Sequence, residues 1–179
     1  RASANGRVFG MWEASGSPSG VNVLVLGEDT ATSYYAHESA WHIAPSSDGR
    51  IIFTGNGIFS QDLTRHDQPA RFNTTNIPSR GEAMFVRVSP GNRARPETDS
   101  TTTLSVYMEN DLGQPIANFP GLDLSPPNSY GWKREPIPID KRVHLIPAAN
   151  LLVTIPGAND RLVMHRFDLV ESLNKLGVD

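Results

Sequence analysis

The chain has 179 residues, a formal net charge of -3 and no cysteine, enough length for one domain of ordinary size or a few units of a repeat array. The acidic balance argues against a phosphate-tracking nucleic-acid surface, which concentrates Lys and Arg, and the missing thiols exclude disulfides, thiolate metal sites and cysteine nucleophiles. No apolar run approaches the roughly 20 residues of a membrane helix and no signal-peptide pattern opens the chain, so neither nucleic acid nor membrane is expected as a partner, while localisation stays open.

In chain order, short apolar and β-branched runs bounded by Gly, Pro, Asn and Asp predict strands at Val21 to Leu26, Arg50 to Thr54, Met84 to Val88, Thr103 to Met108, Leu151 to Ile155 and Leu162 to Phe167. Asp48-Gly49, Asn110 to Gly113 and Gly157 to Asp160 supply turn residues that tolerate positive φ, so neighbouring strands should pair antiparallel. Pro90 to Thr102 and the proline-rich Leu124 to Pro138 withhold backbone donors from a ladder and predict long surface loops. A short terminal helix is expected over Asp168 to Leu176, with Asp168 and Glu171 as a capping box and Gly177 as the C-cap. The start at Arg1 and the stop at Asp179 read as cuts from a longer protein.

An internal repeat underlies these runs. His42-Ile43-Ala44-Pro45-Ser46-Ser47-Asp48-Gly49 followed by Arg50 to Thr54 is echoed by Ile77-Pro78-Ser79-Arg80-Gly81 before Met84-Phe85, and by His144-Leu145-Ile146-Pro147-Ala148-Ala149-Asn150 before Leu151 to Thr154. Upstream, Asn5-Gly6-Arg7-Val8-Phe9 matches Asp48 to Ile52, with Gly6 and Gly49 standing 43 positions apart, close to the roughly 40 to 45 residues of a four-stranded propeller blade. A strand ending in Pro, a polar turn, then an apolar strand resembles the inner hairpin of bacterial WD-repeat-like β-propellers. The chain departs from that family in lacking the Trp-Asp and Gly-His pairs at the corresponding places, so the resemblance implies a fold and transfers no functional residue.

The expected fold is therefore all-β, with antiparallel four-stranded blade-like units forming an incomplete propeller, approximately over residues 1–38, 39–75, 76–140 and 141–179. A β-sandwich of jelly-roll kind is the alternative, with Trp12, Trp41 and Trp132 as sugar-stacking platforms. Because an open array exposes apolar faces at its two ends, these should be covered by a protein partner, the remaining part of the same propeller, or another copy in a homo-oligomer.

Catalytic signatures are weak. The five histidines make no His-x-His or His-Glu-x-x-His spacing, Ala14 to Gly20 lacks the spacing of a nucleophile elbow, and Gly55-Asn56-Gly57 reads as a hairpin turn where a phosphate cradle would need a following helix. No catalytic, cofactor-binding or metal residues are assigned, and no cofactor is expected. His42 with Pro45 and His144 with Pro147 hold repeat-equivalent places that suit a structural role. Tyr130, Trp132, Lys133 and Arg134 form an aromatic and cationic stretch of the composition favoured at protein interfaces. The function expected is a non-catalytic interaction or scaffold module, with two alternatives: a propeller hydrolase or lyase on carbohydrate or lactone, and a carbohydrate-binding sandwich.

Overall fold

The computed structural model of the chain describes residues 1–13, 20–40, 42–55, 57–67, 74–89, 101–122, 124, 139–156 and 161–168. These residues are all-β, in four small antiparallel sheets taken in chain order. The first sheet holds β1 (Val8–Trp12), β2 (Val21–Leu26) and β3 (Ala31–Ala36); the second holds β4 (Ile43–Pro45), β5 (Ile51–Thr54) and β6 (Gly57–Ser60). The third is four-stranded, with β7 (Thr75–Pro78), β8 (Met84–Ser89), β9 (Thr102–Met108) and β10 (Ala117–Leu122), and the fourth holds β11 (Val143–Ile146), β12 (Leu151–Thr154) and β13 (Val163–Arg166). Within each sheet, strands neighbouring in sequence are neighbours in space, the meander that short hairpin links produce.

The prolines fit this order. Pro45 and Pro78 end β4 and β7, and Pro147 directly follows β11; all three strands are edges of their sheets, where a missing N–H costs no ladder bond. Pro120 sits in the edge strand β10 within a register shift between Phe119 and Leu122, beside Gly121 at a φ of 77°. Such a bulge also discourages further strand pairing on that edge.

Three apolar clusters fill the spaces between successive sheets. Val8, Val21 and Val23 of the first sheet meet Ile43, Ile52 and Phe59 of the second. Phe53 and Ile58 on the opposite face of the second sheet meet Phe85 and Tyr107 of the third. The largest cluster joins Val86, Val88, Leu104 and Val106 of the third sheet to Val143, Leu145 and Leu152 of the fourth. A second sheet buried on both faces explains why Ile51-Ile52-Phe53 reads as a continuous apolar run instead of an alternating one. In the middle cluster Phe53 and Phe85 lie 4.8 Å apart between ring centroids and Phe85 stacks on Tyr107 at 5.1 Å, within the 4.5 to 7 Å range of favourable aromatic pairs.

Two expectations need correcting. Leu124, assigned by its prolines to a surface loop, is buried in the third cluster, and its carbonyl accepts a 3.1 Å bond from Arg142 Nη1. Thr102, assigned to the preceding loop, is buried and opens β9. In both places an apolar or β-branched residue adjoining a proline-rich or polar stretch is recruited by the neighbouring sheet. The expected terminal helix lies outside the described residues apart from Asp168.

Candidate functional site

The repeated text folds into repeated chemistry. In the hairpin before β1, Ser3 N–H donates to Val8 O at 2.8 Å and Gly6 N–H to Ser3 O at 3.0 Å. The Ser3 hydroxyl donates to Asn5 Oδ1, which also accepts the Arg7 N–H, and Val8 N–H donates to Ser3 Oγ. Between β4 and β5 the same bonds recur with Ser46, Asp48, Gly49, Arg50 and Ile51 in the corresponding places. Gly6 and Gly49 have φ of 69° and 81°, the left-handed region where a Cβ is penalised. The motif is thus Ser-x-Asx-Gly-Arg, in which the Ser and Asx side chains satisfy backbone donors inside the turn.

The two turns also interlock: Asn5 Nδ2 donates to Asp48 O at 2.8 Å and Asn5 N–H to Ser47 O at 3.2 Å. The third hairpin keeps the closing bond, Ser79 N–H to Met84 O at 2.9 Å, while the Ser79 hydroxyl caps the turn through Glu82. Between β11 and β12 the positive φ falls on Asn150, at 52°, and its N–H donates to Pro147 O.

His42 sits directly before β4 and is half-buried; its Nε2–H donates to the Asn76 carbonyl of β7 at 3.2 Å. Asn76, itself buried, accepts Arg87 Nε at Oδ1 at 3.0 Å, and the Arg87 guanidinium lies 4.7 Å from the Tyr107 ring centroid. Burial, helped by Arg1, drives the His42 pKa down to about 4 against the opposing pull of Asp140 and the Asn76 carbonyl, so the ring is neutral at pH 7. Asp140, in a 3-10 turn before β11, pairs with Arg1. Residues attached to all four sheets therefore converge on one polar junction.

His144 and Pro147 lie elsewhere. Ladder register relates β4 and β5 to β11 and β12 through Gly55 N–H donating to His42 O and Ile155 N–H to Arg142 O, so Arg142 stands where His42 does, and His144 where Ala44 does. His144 is exposed and its ring bonds Lys141 O within its own segment. Arg142 is buried and fastens the fourth sheet by donating to Ile155 O and Leu124 O. A buried guanidinium flanked by Lys141 and Val143 carries no distinguishing sequence signal. Tyr130, Trp132, Lys133 and Arg134 lie outside the described residues, as does Trp41; Trp12 packs, partly buried, on the first cluster.

Glu109 follows β9 and is buried where the β4–β5 turn meets the third sheet. Burial first, and the Asp48 carboxylate second, raise its pKa to about 7 against the pull of Arg50, and its Oε1 has no hydrogen-bond partner among the described residues. Among those residues no group of three or more His, Asp or Glu is placed to hold a metal ion.

The exposed apolar side chains are distributed unevenly. All six large ones among the described residues belong to the first or fourth sheet or directly adjoin it: Met11 and Tyr35 at one end, and Ile146, Leu162, Val163 and Met164 at the other. No protein-family model matches the chain, and no curated protein matches it in a sequence comparison.

Proposed function

We propose that the chain is a run of blade-like sheets of β-propeller type, similar to those of bacterial WD-repeat-like propellers, and that it acts as a non-catalytic interaction scaffold. The observation that carries this reading is the placing of apolar surface: three buried clusters between successive sheets, with every large exposed apolar side chain among the described residues on the two end sheets or directly beside them. Open ends of a stacked array have this character and call for a protein surface to cover them. The interlocked Ser-x-Asx-Gly-Arg turns support a rigid inner edge from which longer connections present variable surface.

A second reading, a propeller hydrolase or lyase on carbohydrate or lactone, is favoured by the approach of His42 and Asp140 to one junction. Against it, Asp140 is engaged by Arg1 and the Nε2 proton of His42 is committed to a backbone carbonyl. A ring titrating near 4 is also a poor general base at neutral pH. Assay of the purified chain against glycoside, ester and lactone panels separates the two. No saturable turnover is expected; saturable turnover abolished by His42→Gln would replace the scaffold reading with the enzymatic one.

A further inference from the structure

The two open faces are the two unlike halves of one more inter-sheet junction. The hairpin-closing bonds align Val8, Ile51 and Met84, and the paired hairpin of the fourth sheet adds Leu151. One residue further on, Phe9, Ile52, Phe85 and Leu152 are therefore equivalent. Ile52 faces the first sheet, Phe85 the second and Leu152 the third, so this position looks back toward the preceding sheet. Phe9 looks the same way, and with its cross-strand partner Leu24 and with Met11 and Tyr35 it forms the open face of the first sheet. The alternate position looks forward: Val8 contributes to the first cluster, Ile51 packs on the second and Met84 lies in the third. In the fourth sheet the forward-looking set is Leu151, Val153, Ile146 and Met164, related by strand pairing, and it too is open.

Resting on the scaffold reading above, we infer that these faces are covered by a second copy of the chain, packed head to tail. The forward face of each fourth sheet lies on the backward face of the other copy's first sheet. The contact continues the three junctions already inside the chain; each new junction pairs unlike surfaces, and with two copies the two junctions are related by a two-fold axis and close the ring. The four sheets among the described residues of each copy make eight, within the range of about four to eight blades that propellers use.

Light scattering on the chain should give twice the monomer mass of 19.6 kDa. Met11→Glu and Met164→Glu place a charge on side chains that are 47% and 68% exposed, so both variants fold, as circular dichroism checks, and both run as monomers. Mixing the two restores the doubled mass, since the intact fourth-sheet face of the first variant meets the intact first-sheet face of the second. The chain has no cysteine, so a parallel measurement uses Met11→Cys and Met164→Cys with a short bis-maleimide: the mixture cross-links and neither variant does so alone. A monomer at all concentrations, or a dimer broken by only one of the two glutamates, overturns the head-to-tail pairing. Either result leaves the scaffold reading standing, which fails separately on saturable turnover.

Discussion

Replacing Gly49 with Ala tests whether the β4–β5 turn is locked against the first sheet, and Gly6→Ala is its internal control. Both glycines occupy the left-handed region, at φ of 81° and 69°, where a Cβ costs about 1 to 2 kcal/mol, partly offset by about 0.4 to 1 kcal/mol from the stiffer unfolded chain. Around Gly6 a new Cβ meets nothing within 4 Å, whereas at Gly49 it falls 2.4 Å from Val8 Cγ2 and 2.8 Å from Val8 Cβ. Val8 is β-branched, buried and tied into its own hairpin by Ser3, so it cannot swing away, and overpacking of this kind adds about 1 to 3 kcal/mol. Gly6→Ala should therefore cost about 1 kcal/mol, and Gly49→Ala about 2 to 4 kcal/mol. Urea unfolding followed by circular dichroism measures both, and a Val8→Ala cycle on the Gly49→Ala background should recover part of the loss as a favourable coupling. Equal losses for the two glycine variants, or a cycle with no coupling, would refute the claim that the turn and β1 are in rigid contact.

Two predictions concern pH. The Glu109 pKa, raised from 4.5 to about 7, means the folded chain holds an extra proton between those values, so this group's stabilising contribution is full at the acid end and is lost as pH rises through 7. Glu109→Gln should flatten that decline in a series of urea midpoints, and a wild-type slope that survives the substitution would show that the carboxyl is not responsible. His42 acts in the opposite sense: with its pKa lowered from 6.5 to about 4, the unfolded chain takes up the proton first and stability is lost as pH falls from 6.5 toward 4. His42→Gln, which keeps a donor for the Asn76 carbonyl, should lessen acid sensitivity while leaving stability at pH 8 within about 1 kcal/mol, the net worth of one such bond; unchanged acid sensitivity would count against the burial of a neutral ring.

The apolar runs announced the sheets well. Val21 to Leu26 is β2 as expected, and the other five predicted runs form strands with shifts of one residue at their ends, because a continuous Val, Ile, Leu or Phe segment between turn residues has few other ways to be buried. The strands that escaped notice lack that signal. Ala31–Ala36 has no aliphatic side chain larger than Ala and is mostly exposed, Ala117–Leu122 contains a proline and a positive-φ glycine at an edge, and Gly57–Ser60 is signalled only by the hairpin turn read at Gly55 to Gly57. The inner hairpins were legible as a repeat, but not their ladder register, since His144 and His42 align in the text through their prolines while the hydrogen bonds align Arg142 with His42. The polar junction was invisible for another reason: Arg1, His42, Asn76, Arg87 and Asp140 are far apart in sequence, and only the stacking of sheets draws them together.

The interlocking of Asn5 with the Ser47 and Asp48 backbone has a consequence for how such a chain can change over evolutionary time. The hairpins closed by Ser3 and Val8, by Ser46 and Ile51, and by Ser79 and Met84 keep one loop length, although the intervals separating them along the chain are unequal. Growth is thus tolerated only at the periphery: a segment added between β9 and β10 lengthens a loop, whereas one residue added between Ser46 and Ile51 would unseat Asn5 and disturb two sheets together. A designer wishing to graft a foreign peptide onto this chain should leave the inner turns untouched and splice at the outer connections, where the repeat itself already varies.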